Sequence, residues 1–567
     1  MLVESIRKTA LCALSCAWIM AAAAFAQTAA PPRNFAEAVD RAVANERALI
    51  GKLRDKEPVI ETYVQELKTD PELEFVPRKD HYFLGRLNLT QGIVDKSYLP
   101  NSTLANIPHI FTSMFSKEYY ARGFADQMFL DVADFDRTHY DFELEGREFL
   151  GEVRCLIIDV KPKKDAGKRR FAGRLWVEDR DYNIVRFNGT YIPAPSHDLS
   201  HFDSWRLNTG GMWLPSFIYA QDESGRSGVT HSPPVRAQTR LWDYQRSRES
   251  DEQIFTSMSI DVPGGVQDSS ETSLENSPLQ SFRMWEQQSA VNVANRLQRA
   301  GLLAPTGEVD RVLGTVLNNL EVTNNIYLDP PIRARVLLTT PLESIAVNHT
   351  ILISRGLIDV LPDEASLAAV LAHELAHIAL GHSMKTKYAF ADRLLFDDPA
   401  TLKSIAVGRT KEEEQLADAK AIEILNKSPY KDGLPKAGLF LRMLSARSNE
   451  VPHLVTPLVG NRMADSHREL RLPALMDRAP ELKLRDTQQI AALPLGSRIR
   501  IDPWSNQLHL LKTAAMVPLT AKEKLPFQIT PSMLHLTRED KPLPARAAAD
   551  STGVLEDGKT ITRTSKP

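Results

Sequence analysis

The sequence predicts a multidomain α+β protein, in which an N-terminal curved antiparallel β-sheet domain precedes a mainly helical domain with a small sheet. Three observations support this prediction. From about residue 75 to residue 262, runs rich in aromatic and β-branched residues alternate with Asp, Asn, Gly and Pro, as in a β-meander. From residue 284 the apolar residues recur at helical spacing. A long helix with no internal Gly or Pro is then expected from residue 363.

The first 26 residues have the pattern of a secretory signal peptide. Arg7 and Lys8 precede an apolar run from Thr9 to Ala24, and Ala24-Phe25-Ala26 forms a small-x-small cleavage site. A membrane helix needs roughly 18 consecutive apolar residues, which neither this run nor any later stretch reaches. We therefore expect a mature protein in a bacterial periplasm, without a transmembrane segment. A lipidated Cys16 is the alternative, but the three residues before it make a poor lipobox.

Cysteine and charge content limit the chemistry and the partners that the chain can have. Two of the three cysteines lie in the predicted signal peptide, so Cys155 would be alone in the mature chain and no internal disulfide could form. Its apolar neighbours favour a buried small hydrophobic side chain over a nucleophile. The net charge of -3 becomes about -4 when Glu4, Arg7 and Lys8 are removed with a net charge of +1. Nothing in this mixed charge pattern indicates nucleic acid.

The order of patterns along the chain predicts its domains. Phe35, Ala38, Val39 and Ala42 recur at helical spacing, and we assign residues 27–74 to an N-terminal helical segment. The following parts are an antiparallel β-rich domain at 75–265, a linker at 266–280, a helical domain at 281–500 and a C-terminal extension at 501–567. The end of that extension is polar and is expected to be disordered.

Individual elements are predicted within both domains. The strands of the first are expected at Phe149–Val160, Arg170–Val177, Ile184–Ile192, Met212–Ala220 and Ala237–Tyr244, with Asp179-Arg180-Asp181 as a hairpin connection. The helices of the second are expected at Met284–Leu302, Val309–Leu320, from Pro362-Asp363-Glu364 onward, and at 412–427, 434–446 and 466–478. Two further strands are expected there, at Ala334–Thr339 and Thr350–Ser354.

The strongest functional signal is the run His373-Glu374-Leu375-Ala376-His377. On a helix with 3.6 residues per turn, side chains four positions apart project within roughly 40° of each other, so both imidazoles can reach one metal ion. Glu374 lies beside them, where it can reach a metal-bound water rather than the metal. The alternative is a helix whose histidines are only solvated or hydrogen-bonded.

A catalytic zinc site needs three protein ligands and one open position. The helical run after residue 411 offers Glu414 as the third ligand, and Asp418, one turn later on the same face, can accept the N–H of a ligating histidine. One Zn²⁺ per chain is therefore the predicted cofactor, although two imidazoles and a carboxylate also accept other divalent ions. A solvated acidic face is the alternative reading of Glu412-Glu413-Glu414.

The stretch Thr350–Asp418 resembles the zinc peptidase family that contains the CAAX prenyl protease, HtpX and the periplasmic BepA. The resemblance extends over roughly residues 280 to 480 and rests on Ile353-Ser354-Arg355-Gly356-Leu357, Asp363-Glu364, Val370–His377 and Glu414-x-x-Ala417-Asp418. It implies a zincin-like metallopeptidase domain with the HExxH and ExxAD motifs of gluzincins. It also implies site residues, with metal ligands at His373, His377 and Glu414, a catalytic base at Glu374 and a carboxylate supporting a ligand at Asp418.

Two elements depart from the pattern of that family. The Asn-Ala-Phe-like strand is replaced by Glu343–Asn348, and the later His-Pro…Arg element appears only as Ser466–Arg471, without the proline. His467 is therefore a candidate catalytic residue that would stabilise an oxyanion, and Arg471 is a weaker candidate for the same role. Capping and pairing on a surface helix is the alternative for both residues.

The resemblance also predicts how a peptide is bound and cleaved. Zinc would lower the pKa of its water toward about 7, and Glu374 would take that proton and pass it to the leaving amine. The substrate would lie as an extra strand along a sheet edge, for which Glu343–Val347 is the candidate. Residues 383–411 would either fold over the cleft as a lid or only pack the helix pair.

The β-rich domain resembles LolA-like lipoprotein carriers in the stretch Phe171–Arg186 and in Trp213-Leu214-Pro215. This resemblance implies a sheet face that can hold an acyl chain or an apolar peptide, and with it a peripheral membrane or lipoprotein contact. The alternative is an aromatic face that is covered by a helix of the same domain.

Two functions of different classes follow from these patterns. The first is a zinc endopeptidase acting on unfolded or misassembled envelope proteins in quality control. The second is a periplasmic chaperone, or a lipoprotein- or peptide-binding protein, with a closed or regulatory zinc site. The presence of Glu374 beside a complete ligand set favours the enzyme, because a purely structural site needs no base.

Overall fold

The structure is a computed structural model that describes residues 32–89, 94–99, 124–132, 134–164, 170–192, 201–222, 234–246, 278–382, 408–460, 463, 471–511 and 517–538. The expected signal peptide, most of the expected linker, residues 383–407 of the expected lid, His467 and the tail after residue 538 lie outside these ranges. The described chain has the predicted α+β architecture, with a large antiparallel sheet followed by a helical region that carries small sheets.

Ten strands form one antiparallel sheet in the order β3-β2-β1-β10-β9-β8-β7-β6-β5-β4. Strands that follow one another from β4 to β10 are neighbours, as the meander pattern predicts, and β1 pairs with both β10 and β2. The strands are β1 Val59–Asp70, β2 Glu74–Asn88, β3 Val94–Ser97, β4 Tyr140–Leu150, β5 Val153–Pro162, β6 Arg170–Glu178, β7 Ile184–Ile192, β8 His201–Thr209, β9 Met212–Asp222 and β10 Val235–Trp242.

A single helix, α1 (Phe35–Leu53), covers the aromatic face of this sheet. Its buried residues Ala38, Val39, Ala42 and Val43 pack in one cluster with four aromatic rings of the sheet. These rings belong to Phe171, Phe187, Tyr191 and Phe202, and the centroids of rings in contact lie 5.4–6.3 Å apart. A buried ion pair between Glu46 of α1 and Arg206 of β8 fixes the helix on the sheet. A helix of the same domain thus covers the aromatic face. This is the second of the two arrangements considered from the sequence, and it differs from an open face that binds lipid.

Two expectations about the first domain are corrected. The segment 27–74 is helical only as far as Leu53, since Val59–Asp70 is strand β1. The first residues of this strand include several β-branched and aromatic residues, and they are buried between two neighbouring strands, so strand pairing overrides the helical spacing. The expected single strand Phe149–Val160 is a hairpin, because the chain turns at Gly151, whose φ is +69°.

The second region consists mainly of helices. They are α2 Pro278–Arg299, α3 Glu308–Asn324, α4 Arg355–Val360, α5 Glu364–Ala379, α6 Lys411–Lys427, α7 Leu434–Arg447 and α8 Pro473–Arg478. Short 3₁₀ turns lie at Ala125–Met128, Lys431–Gly433 and Ala521–Lys524. Of the helix expected at 466–478, residues 466–470 lie outside the described residues; the described part is helical from Pro473, and Leu472 before it has a left-handed φ of +55°. Among the residues that the structure describes, no helix combines the length and the apolar character that crossing a membrane requires.

Two small sheets accompany these helices. One has the order β11-β13-β12, with β11 Arg333–Leu337 parallel to β13 Thr350–Ser354 and β12 Ser344–Val347 antiparallel to it. The other is the pair β14 Ile499–Ile501 and β15 Leu508–Leu510. Strand β12 pairs with β13 on one side, and no described strand pairs with its other side.

Buried ionic contacts join the large sheet to the helical region. Glu61 of β1 accepts hydrogen bonds from Arg355 Nη2 and Thr340 Oγ1, each at 2.8 Å, and Arg355 Nη1 lies 3.1 Å from Asp359. The Glu61 and Arg355 side chains are each 1 % exposed. These contacts hold the chain just before β12 and at the start of α4, so the sheet helps to fix the strand beside the candidate site.

Candidate metal centre

The helix α5 places the two histidines of the motif on consecutive turns. Asp363 caps the helix by accepting a hydrogen bond from the amide of Ser366, and the Ala- and Leu-rich sequence after it is buried along most of its length. His373 and His377 therefore point inward, and each is 1 % exposed. The second helix, α6, begins with a capping box between Thr410 and Glu413, which places Glu414 in its first turn.

The structure brings together the three residues that the sequence predicts as metal ligands. His373 Nε2 lies 3.1 Å from His377 Nε2 and 3.2 Å from Glu414 Oε2, and His377 Nε2 lies 3.5 Å from Glu414 Oε1. A tetrahedral site with metal–ligand bonds of about 2.0–2.1 Å has its ligand atoms roughly 3.4 Å apart. The separations of these three ligand atoms thus fit a small divalent ion.

The contacts of His373 are those expected of a ligand supported by a carboxylate. Its Nδ1 lies 2.9 Å from Asp418 Oδ1, and because an ionised carboxylate only accepts hydrogen bonds, the proton of a neutral His373 is on Nδ1. The lone pair on Nε2 then faces an oxygen of Glu414, which is also an acceptor. Burial and the charge of Arg471 act to lower the pKa of His373, but its hydrogen bonds to Asp418 and Glu414 outweigh them and the pKa is raised. A proton on Nε2 can therefore bridge His373 to Glu414, and a divalent ion bound between the two groups would take the place of that proton.

A second histidine contact was not predicted from the sequence. His377 Nδ1 lies 2.9 Å from His382 Nδ1, so His382 supports His377 on the side away from Glu414. The chain returns to this position because the helix ends and Gly381 adopts a φ of +71°. Burial and the nearby charge of His377 lower the pKa of His382, which favours its neutral form. The sequence signal for such a turn is Gly381, which follows the C-cap Leu380.

Glu374 is held at three points beside the histidines. Its Oε1 accepts hydrogen bonds from Arg471 Nη1 and Ser344 Oγ, each at 2.7 Å, and its Oε2 accepts one from the amide of Ala346 at 2.7 Å. Burial acts to raise the pKa of Glu374, but the positive charge of Arg471 and the neighbouring histidines outweigh it, and the pKa is lowered. The carboxylate is therefore ionised and faces strand β12.

Arg471 has a larger part in the site than the sequence pattern indicates. It is 7 % exposed, it pairs with Glu374, and its Nε lies 3.4 Å from Glu414 Oε2. The amide of the next residue, Leu472, donates to the same Asp418 oxygen that accepts from His373. Arg471 is thus part of the buried cluster and not a surface helix residue, whereas His467 lies outside the described residues.

The outer edge of β12 runs along this cluster. The expected edge at Glu343–Val347 is a strand from Ser344 onward. The carbonyl of Ala346 accepts a hydrogen bond from Arg409 Nη2 at 2.9 Å, and the carbonyl of Ser344 lies 3.4 Å from Arg471 Nη1. Glu343 is anchored separately, since its Oε2 accepts from the amides of residues 458–460 at 2.9–3.3 Å. The backbone of the edge thus reaches side chains of the candidate site.

Comparison with known proteins identifies one family in this region. Residues 345–396 match the model of peptidase family M48, so the relationship that the motifs indicate is confirmed over this segment. The match includes His373, Glu374 and His377 and ends before Glu414. It supports a metallopeptidase function. A search of curated proteins gives no match.

Solved structures align with about a third of the chain at low identity. A DUF1329 family protein from Desulfovibrio piger aligns over 36% of this chain and 90% of its own, at 12% identity and a TM-score of 0.17. A domain assigned to outer membrane lipoprotein sorting in Vibrio parahaemolyticus aligns over 36% and 92%, at 8% identity and a TM-score of 0.23. The MucA/MucB complex of Pseudomonas aeruginosa aligns over 36% of this chain and 94% of its own, at 9% identity and a TM-score of 0.13. At TM-scores this low, the likeness carries no argument about a ligand of the large sheet.

Proposed function

We propose that this protein, which carries a segment of peptidase family M48, is a zinc-dependent endopeptidase in which Glu374 is the base. The observation that carries the proposal is the convergence of His373, His377 and Glu414, with their ligand atoms 3.1–3.5 Å apart, beside an ionised and buried Glu374. Two helices distant in sequence supply these groups, which an accidental HExxH sequence would not explain. The residues fit one divalent ion per chain, and zinc is the ion that this ligand set commonly holds.

The side chains around the ligands would each have a separate part in peptide hydrolysis. When bound, zinc would supply a Lewis acid that polarises the peptide carbonyl and lowers the pKa of an attacking water. The carboxylate of Glu374 would accept the proton of that water and deliver it to the leaving amine. Asp418 would hold the tautomer of His373, and His382 would orient His377.

Strand β12 would bind the substrate backbone. Its outer edge presents the amide of Ala346 and the carbonyls of Ser344 and Ala346 to the side chains of the site. An extended peptide could pair with these groups when it replaces their contacts with Glu374, Arg409 and Arg471. Recognition through main-chain groups tolerates many sequences, which suits a protease of unfolded polypeptides.

The proposed location is the periplasm and the proposed role is quality control of unfolded or misassembled envelope proteins. The signal-peptide pattern at residues 1–26 supports this location. In the described residues, α1 packs on the aromatic side of the large sheet. We therefore assign the substrate to the helical region and propose no acyl chain on the sheet.

A second function, a binding protein with a closed zinc site, is favoured by one observation. The carboxylate of Glu374 already accepts three hydrogen bonds, from Arg471, Ser344 and Ala346, and is 1 % exposed. A base that stayed in these contacts could not take a proton from water. Such a protein would bind unfolded chains and leave them intact.

Cleavage of unfolded casein by the full mature chain separates the two functions. We expect zinc-loaded protein to produce fragments, a chelator to stop the reaction, and added Zn²⁺ to restore it, with elemental analysis giving about one zinc per chain. Binding of casein without any fragments from the zinc-loaded protein would establish the second function instead.

A further inference from the structure

A small cationic pocket lies between the large sheet and the short hairpin of β14 and β15. Ser216, Phe217 and Arg240 line it from the sheet, and Gly496 and Arg500 line it from the hairpin and the loop before it. The other lining residues are apolar apart from Ser532, and none of the described residues that line the pocket is acidic. The pocket encloses about 400 Å³ with its opening, but its free interior admits only about one or two water-sized particles.

The guanidinium of Arg240 lies in this pocket without a hydrogen-bond partner among the described residues. Its Cζ is 5.1 Å from the centroid of the Phe217 ring, and a Cβ atom at Gly496 would overlap its Nη2. Arg240 is 9 % exposed, and its buried Nε has no acceptor in the described part of the chain. Burial lowers the pKa of Arg240 to about 9, which leaves the group charged at neutral pH.

Two buried carboxylates act on the charge of Arg240, but both have other partners. Glu61 lies opposite Arg240 in the pairing of β1 with β10. Its oxygens already accept four hydrogen bonds, from Arg355, from the amide and hydroxyl of Thr340 and from a tyrosine hydroxyl. These fill the roughly four acceptor positions of a carboxylate. Asp359 accepts from Arg355 and from two backbone amides. Among the described residues, Arg240 therefore has no carboxylate of its own.

A buried cation without a counter-ion is costly, and an anion at the guanidinium would offset much of that cost. A water molecule could accept hydrogen bonds from Arg240 but would carry no charge. A chloride ion is only slightly larger than a water molecule, so it fits the free interior, whereas a phosphate or sulfate ion is too large. We propose that the pocket binds one small monovalent inorganic anion, of the size of chloride, on Arg240.

The position of the pocket gives the bound anion a structural role. Arg240 is on β10 of the large sheet, and Arg500, the second positive charge of the lining, is on β14. An anion in the pocket would attract both arginines and so stabilise the contact between the sheet and the hairpin. The pocket shares no residue with the candidate metal centre, so this proposal does not depend on the peptidase function.

The first test is the thermal stability of the zinc-loaded full chain as chloride replaces gluconate at constant ionic strength. Gluconate is too large for the pocket, so it is the inert anion. We expect chloride to raise the Tm of the wild type by about 2–4 °C, because it binds only the folded state. R240Q should lose this rise, since the variant has no buried charge for the anion to neutralise.

R478Q is the matched control, because it removes the same charge from an exposed arginine at the end of α8. It should keep the rise in Tm that the wild type shows. The metal centre is unchanged in both variants, so an effect of chloride on bound zinc would appear in both. A rise that R240Q retains, or no rise in the wild type, would overturn the proposal.

The second test locates the anion directly in crystals of the wild-type chain soaked in bromide. Anomalous scattering should show a bromide ion in contact with the guanidinium of Arg240. Bromide only on the surface, or a water molecule alone at Arg240, would overturn the assignment. Should R240Q fail to fold in either salt, this measurement decides, because it needs no variant.

Discussion

Arg471 and Glu374 form a buried ion pair, with Nη1 and Oε1 2.7 Å apart and the two side chains 6 % and 2 % exposed. The pair lies at the point where the edge of β12 meets α5, because Ser344 contacts both partners. It therefore links the proposed base to the proposed substrate strand. Removing one partner of such a pair leaves the other charge buried and uncompensated.

Replacement of Arg471 by Met should destabilise the zinc-loaded protein by about 3–5 kcal/mol, because the charge of Glu374 loses its partner. In a Glu374→Gln background the same replacement should cost less, since no charge is left unpaired. Urea unfolding of the wild type, both single variants and the double variant measures this coupling. Additive free energies of unfolding would show that the ion pair does not operate in solution.

Glu374→Gln should keep the bound metal and lose peptide cleavage by about a hundredfold or more, because the ligands remain and the base is gone. Elemental analysis and casein cleavage on the same preparation provide the two measurements. Cleavage at the wild-type rate by the variant would remove Glu374 from the proposed mechanism. Loss of the metal would instead show that Glu374 belongs to the ligand set.

His377→Ala and Glu414→Ala should each lose the metal, since two ligands do not hold an ion as three do. Asp418→Asn should weaken metal affinity by roughly 10- to 100-fold without abolishing binding, because it disturbs only the partner of His373 Nδ1. Titration with a competing chelator ranks the three variants. Full metal content in either alanine variant would contradict the ligand assignment.

The contact between His453 and Asp80 should make stability depend on pH. The hydrogen bond to Asp80 and its charge raise the pKa of His453 above its usual value, so the folded state binds the proton more tightly than the unfolded state. The stabilisation is present below the unfolded pKa of about 6.5 and is lost as the pH rises through the folded value. His81 stacks on His453 at 6.1 Å, and Lys79 is the other charge nearby that acts on it.

The measurement is the difference in Tm between the wild type and His453→Gln. We expect the wild type to have the higher Tm near pH 6 and the difference to shrink as the pH is raised toward 8 to 9. A difference that grows over this range would reverse the sign and rule out the proposed linkage.

Glu61→Gln should lower the free energy of unfolding by about 1–3 kcal/mol, because the buried carboxylate that accepts hydrogen bonds from Arg355 and Thr340 is replaced by an amide, while Asp359 still pairs with Arg355. Glu423→Gln is the matched control, since the Glu423–Lys420 pair is exposed on α6, and it should leave stability unchanged. Denaturant unfolding of both variants provides the comparison. Equal stability of the two variants would show that the sheet and the helical region are not coupled through Glu61.

The features that the sequence predicted well depend on local spacing. The start of α5 at Asp363 follows from a capping side chain, and the shared direction of His373 and His377 follows from the period of the helix. Cys155 is buried, as its apolar neighbours indicate. Strands β6, β7, β9 and β10 were predicted near their observed limits because turn residues separate them, whereas β8 was not predicted.

The features that the sequence did not reveal depend on distant contacts. Strand β1 was expected to be helical, but it lies between β2, the next strand in the chain, and β10, more than 150 residues later, and pairing on both sides makes it a strand. The support of His377 by His382 requires the turn at Gly381.

The sequence by itself determined that His373 and His377 lie on one face of a helix and that Glu414 lies on a second helix. Helical periodicity is a local property of the chain, so the spacing of residues is enough to predict it. Only the tertiary structure decided that Arg471, 97 residues after Glu374, pairs with it. The pair forms because the chain after α7 folds back beside α5 and β12, and the position of a segment far away in sequence cannot be derived from the spacing of residues within each helix.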